Sequence, residues 1–254
     1  MVLHGAVPTQ KQFEIGYDYV LKMLRRKFRC HPTTVYVSTP HVKKSDLTTP
    51  WDKWEKDVSR FGLPEDLLGI TLYVEYPLTF IDKIGVAIRS ADRALTLAFD
   101  VGVKKFDRQY LADIARDIHT VYPFTYGYAL MLPRNKFPID FGSGRFGGQG
   151  KSSDIADLDL RNSRWAKFIR NIVRTGVELD SEFRDIYPLN FLSGGHLERN
   201  VGNMSLKEWI HCDVSRGRLT HLDNAFWVWE IDASQVCRVR NELIAEDLLI
   251  ACRD

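Results

Sequence analysis

The residues with the most site-like arrangement in the 254-residue sequence are Gly194-Gly195-His196-Leu197-Glu198. Histidine and glutamate are the side chains that most often move protons in enzymes, and neighbouring glycines let a backbone approach a ligand closely. The same five residues also suit an ordinary loop, because Gly and polar side chains favour turns. A second stretch, Gly142-Ser143-Gly144-Arg145-Phe146-Gly147, matches G-x-G-x-x-G, and Gly150-Lys151-Ser152 has the ending of a P-loop. Both need context. A dinucleotide site requires an apolar helix after the glycines and an acid about twenty residues on. Here Gly148 to Ser153 is polar, residues 162–167 hold no acid, and the first P-loop glycine would fall on Arg145. The stretch therefore reads as a loop.

The seven histidines (His4, His31, His41, His119, His196, His211 and His221) form no H-E-x-x-H and no pair at zinc-ligand spacing. His211-Cys212-Asp213 gathers three reactive types, but consecutive residues on a helix point in different directions. Cys30, Cys212, Cys237 and Cys252 lie far apart without a C-x-x-C, which predicts reduced and mostly buried thiols. No Ser stands in a G-x-S-x-G elbow. Asp100, Asp107 and Asp140 could meet only through folding. No residue is assigned a catalytic, cofactor-binding or metal-ligating role, and no cofactor is expected.

Charge is nearly balanced, with 35 Lys+Arg against 33 Asp+Glu, so no strong global field draws nucleic acid. The local basic run from Lys22 to Arg29 could touch phosphates, although cations also suit the end of a helix, where they oppose the macrodipole. The amino terminus lacks a basic segment followed by an apolar run, and no stretch approaches the ~20 apolar residues of a membrane helix. The expectation is a cytoplasmic protein.

These residues must be held by a folded body, and 44% hydrophobic residues allow a sizeable core. Phe13, Tyr17, Val20, Leu21, Leu24 and Phe28 recur at helical spacing over 10–28. Pro50 and Trp51 open a second helix that Gly62 ends, and Asp107 caps a third through His119. Strands are expected at 34–37, 69–76, 84–88, 94–101 and 126–132. Residues 133–162, rich in Pro, Gly and Asp, read as a loop or hinge, followed by a helix over 163–175. Ser205 and Glu208 form a capping box. Residues 218–222 and 225–231 form a hairpin in which Trp227 and Trp229 share a side, a helix spans 233–245, and 248–251 closes as a buried strand. The pattern predicts an α+β fold with mixed or antiparallel sheets and helices packed on one face. It divides into an N-terminal lobe (1–132), the 133–162 hinge and a C-terminal lobe (163–254), two similar lobes that can pack as one domain.

The run Arg184-Asp185-Ile186-Tyr187-Pro188-Leu189-Asn190-Phe191-Leu192 is followed by His196-Leu197 and Ser205-Leu206-Lys207-Glu208-Trp209-Ile210. Gly217-Arg218-Leu219, Trp229-Glu230-Ile231 and Val239-Arg240-Asn241-Glu242-Leu243 come next. Together, over about 183–252, these resemble small bacterial proteins encoded beside secreted toxins, including the type VI secretion immunity family. The resemblance implies a non-catalytic protein that binds a cognate toxin and blocks it, and it transfers no binding residue. The alternatives are an enzyme with a site near the glycine loop and His196, and a nucleic-acid-associated defence protein using Lys22 to Arg29.

Overall fold

The fold was obtained as a computed structural model. It describes all residues except 6–8, 41–46, 76–81, 90–93, 100–106, 133–137, 143–152, 176–178, 224–225 and 254. In chain order the elements are β1 (Val2–Gly5), α1 (Gln10–Lys27), β2 (Thr34–Ser38), β3 (Leu47–Pro50), α2 (Trp51–Phe61), β4 (Gly69–Glu75), β5 (Asp82–Arg89), β6 (Ala94–Phe99), α3 (Arg108–His119) and β7 (Phe124–Ala129). Then come α4 (Pro138–Gly142), α5 (Ser153–Thr175), β8 (Leu189–Ser193), α6 (Gly194–Leu197), β9 (Asn200–Val201), β10 (Met204–Ser205), α7 (Leu206–Cys212), β11 (Arg218–Asp223), β12 (Phe226–Glu230) and α8 (Val236–Ile244).

Ten strands form one sheet in the order β11-β12-β8-β7-β1-β6-β5-β4-β2-β3, antiparallel at every step, and β9 pairs with β10 separately. The fold is α+β, as the sequence pattern implies. Strand β1 lies in the middle. It pairs with β6 through Val2↔Thr96 and with β7 through Val2↔Tyr128. A strand of four residues carries too few side chains to show a period, so its sequence alone does not mark it.

Alternation of side chains along each strand gives the sheet two buried faces. On the first, Leu3, Val35, Ile70, Leu72, Val86, Phe191 and Val228 pack with Phe13, Leu24, Trp51, Trp54, Leu111 and Ile114 from α1, α2 and α3. On the second, Val2, Tyr126, Tyr128, Leu192 and Trp229 pack with Phe141, Trp165, Leu206, Trp209 and Val239 from α4, α5, α7 and α8. Helices on one face therefore describes the arrangement of α1 to α3, and the opposite face carries its own helical layer.

Local chemistry sets several boundaries. Thr9 and Gln12 form a reciprocal capping box for α1, and Arg25, Arg26 and Lys27 fill its last turn. Asp107 accepts a hydrogen bond from Tyr110 N (3.0 Å) at the start of α3, and Ser205 with Glu208 boxes α7, both as the sequence indicates. Gly62, at φ 78°, ends α2. Helix α5 begins at Ser153 rather than near 163. An aspartate-bearing polar sequence suits a helix's first turns as well as a loop, so composition alone does not separate the two over this stretch. Residues 248–251 do not form a strand. Leu249 makes a single parallel bridge to Phe183, and Ile250–Cys252 is a 3-10 turn, buried as expected but ladder-poor. Among the described residues no helix is long and apolar enough to cross a membrane.

Candidate functional site

His196 sits on α6, one turn after β8, and is completely buried. Tyr126 stacks on its ring with centroids 5.3 Å apart, and Phe183 meets it edge-on at 4.9 Å. Its Nε2–H donates to the Glu182 carbonyl (3.2 Å), and Nδ1 accepts from the Ser193 backbone N–H (3.4 Å). The Ser193 hydroxyl lies 2.8 Å from Nδ1 and 2.6 Å from the Asp180 carbonyl, with one proton for the two acceptors. A Ser–His contact of this length invites a nucleophile–base reading. The electrostatics oppose it. Burial lowers the His196 pKa to about 3, far from the value near 7 that suits a general base. Ser193 and His196 are instead the two ends of a capping box on α6.

Of the two flanking glycines, Gly195 has a packing role, whereas a side chain at Gly194 would meet open space. A Cβ at Gly195 would lie 2.6 Å from the Asp180 carbonyl, so the close approach is to the chain's own backbone. Glu198 is exposed at the end of α6, whereas His196 is sealed inside, so the cluster does not converge. The glycine loop after Gly142 and Asp100 lie outside the described residues, as do His41 and the Asp140 side chain. Asp107 caps α3. His211, Cys212 and Asp213 diverge to Lys207, Met204 and Ser215 respectively. Among the described residues no group of three His, Cys, Asp or Glu side chains could hold a metal.

The thiols differ from expectation. All four are free, but Cys212 and Cys237 are exposed and Cys30 and Cys252 half-buried. Cys212 ends α7, and Cys237 falls on α8 next to buried Val236 and two residues before buried Val239, so the helical period turns it outward. In the basic run, Arg25 pairs with Glu55 (3.0 Å) and Lys27 with Asp117 (2.7 Å), and both pairs are solvent-exposed.

The charge that the fold gathers lies elsewhere, on the irregular segment 183–188. Arg184 is buried among aromatic rings, with its guanidinium carbon 4.2 Å from the Phe141 ring centroid and 5.7 Å from that of Trp165. It donates to the Tyr128 hydroxyl, the Asn162 Oδ1 and the Phe141 carbonyl. Asp185 is also buried. Arg161 Nη1 reaches its Oδ2 and Arg240 Nε its Oδ1, each at 2.6 Å, while Ile186 N donates to Oδ1 at 2.7 Å. Burial works against the charge of Arg240, but Asp185 outweighs it and holds the guanidinium pKa above its ordinary value.

Beside this network opens a cleft of about 320 Å³, lined by Arg108 of α3, Leu130 and Met131 after β7, Arg161 of α5, Asp185 to Pro188, and Ala233, Val236 and Arg240 around α8. The segment beneath it is firmly held. Tyr126 Oη accepts from Arg184 N and donates to the Asp185 carbonyl, and Asn190 bonds Tyr187 through both its amide groups. Sequence reasoning did not single out Arg161 and Arg240. The available signal was Arg184-Asp185 itself, two charges set inside the apolar run Phe183 to Tyr187, which demands buried partners.

A scan against protein-family models finds no match, and no curated protein matches the sequence. Among solved structures, the Pseudomonas aeruginosa T6SS protein PA0821 is similar in fold, with a TM-score of 0.56 at 11% identity over 98% of this chain and 72% of that one. At that identity the likeness concerns the fold. The chain thus shares its architecture with a protein of a type VI secretion system (T6SS).

Proposed function

We propose that the chain is a non-catalytic binding protein of T6SS-associated immunity, which neutralises a cognate protein toxin by direct attachment. The observation that carries this reading is the cleft beside Asp185. Two of its arginines, Arg161 and Arg240, are fixed by ion pairs to buried Asp185, and much of its wall is apolar, so it offers a firm surface with charge and greasy contact side by side. Rigidity lowers the entropy lost on association, and arginine at an apolar surface is enriched where proteins bind tightly. The fold shared with a T6SS protein and the resemblance of residues 183–252 supply the class of partner. Attachment would then act by occlusion, with complementarity of charge and shape selecting one toxin over others.

The test is co-expression with the neighbouring gene, which this reading expects to encode the toxin. Cells that survive only in the presence of this chain, with the two proteins co-purifying, are the expected result. Death despite expression, together with no complex on size-exclusion chromatography, would refute the reading.

A further inference from the structure

We propose that the cleft between α3, α5 and α8 receives an acidic side chain, Asp or Glu, from the toxin, with an adjoining apolar residue seated against Ile186 and Val236. This inference rests on the function proposed above and specifies where and by what chemistry the contact is made.

The argument begins with charge. Among the described residues that line the cleft, Arg108, Arg161 and Arg240 stand with one carboxylate, Asp185, which spends both oxygens within the protein. A fourth guanidinium, that of the preceding residue Arg184, is buried within electrostatic reach of Asp185. The exposed Asp232 lies near Arg108 and offsets part of that excess at the rim. The described walls therefore retain positive character, which favours an anion.

Donor geometry sharpens this. Arg240 commits Nε to Asp185 and Nη2 to the Ile186 carbonyl (2.9 Å). Among the described residues no acceptor meets its Nη1. The guanidinium is already oriented by two bonds, so a carboxylate arriving at Nη1 would find a donor that needs no reordering. Because Asp185 cannot move without losing both arginines, it acts as a fixed brace and not as a competitor for that position.

Size and composition select the occupant. A volume of about 320 Å³ is at the low end of the roughly 300–1,000 Å³ typical of small-molecule sites and matches one or two side chains. Leu130, Met131, Ile186, Pro188 and Val236 give it apolar walls, and Met131 is largely exposed at the mouth. A free inorganic anion would leave that apolar surface unused. A protein segment carrying an acid beside an apolar residue would cover both.

Two variants test this on the full chain, using as probe the neighbouring gene's product that the proposed function expects to be the toxin. Ala233→Trp fills the cleft from an exposed position, and Arg108→Glu reverses a charge on its rim without touching the Asp185 ion pairs. Each is expected to weaken the complex about tenfold or more, and Arg108→Glu to flatten its salt dependence. Thermal melting of the free variants verifies that they fold. Wild-type affinity retained by both folded variants would overturn the cleft assignment and leave the proposed function standing. Absence of any complex with the wild-type chain would remove that function and this inference with it. Phosphate or glutarate binding that Ala233→Trp abolishes, while the toxin binds Ala233→Trp with wild-type affinity, would reassign the cleft to a small anion and also overturn the inference.

Discussion

The two faces of the sheet solve the burial problem in different ways. The first is almost wholly aliphatic and aromatic, with Leu3, Leu24, Val35 and Ile114 fully out of water beneath α1, α2 and α3. The second buries Tyr126, Trp165 and Trp229, and with them His4, Asn162, Arg184, Asp185, Asn190 and His196. The hydrophobic effect, which is non-directional, holds most of the first face together, with the bond from Trp54 Nε1–H to Tyr17 Oη (3.0 Å) as a buried polar contact there. On the second, each polar atom needs a partner at the right distance, since one left unmet costs about 1–3 kcal/mol. The polar face is therefore more specific in geometry and more vulnerable to single changes. It also adjoins the cleft, where an exact arrangement of charges has most use.

This contrast can be broken most sharply at Arg184. Arg184→Ala removes the donor that the Tyr128 hydroxyl, Asn162 and the Phe141 carbonyl share and leaves a cavity, with an expected loss of about 4 kcal/mol in urea denaturation. Leu24→Ala, on the aliphatic face, is expected to cost about 3 kcal/mol, with the same loss at pH 7 and pH 5 because no titrating group is touched.

The pH dependence itself belongs to the second face. The folded pKa of His196, about 3, lies below its ordinary 6.5, so its contribution is complete above pH 6.5 and is lost as pH falls toward 3. Wild-type stability should drop by about 2 kcal/mol between pH 6.5 and 5 from this residue, at about 1.4 kcal/mol per pH unit. His196→Gln should remove that slope; an unchanged slope in the variant would place the titrating group elsewhere. The smallest effect is expected outside both cores. Ser205→Ala removes the bond to Glu208 N and should cost about 1 kcal/mol by thermal melting.

The sequence was informative where structure is local. Asp107, Gly62, Pro50 and the Ser205–Glu208 box act within a few residues of themselves, and each stands where the pattern put it. The alternating Trp227 and Trp229 likewise share the second face, Trp229 fully buried. Long-range assembly was not legible. The Asp185 network draws Arg161 from α5 and Arg240 from α8, separated from it by 24 and 55 residues, and no spacing rule connects them. His196 misled for a related reason. Glycines beside a histidine permit close approach, but the sequence does not say that what approaches is the Asp180 backbone.

Strand β1 also governs how the fold can be reached. In the sheet, β1 lies between β6 and β7, so among the described residues one short segment is the hydrogen-bonded seam between β6-β5-β4-β2-β3 and β7-β8-β12-β11. Its contacts span long stretches of chain, from Val2 to Thr96 and Tyr128, and such high contact order slows folding. The pairings within each half are shorter in sequence, the shortest being between consecutive strands such as β5–β6 and β11–β12. The seam is therefore expected to close late, and with β1 absent the facing edges of β6 and β7 would be open to misassociation, so a deletion of residues 1–5 should raise aggregation on refolding as read by light scattering.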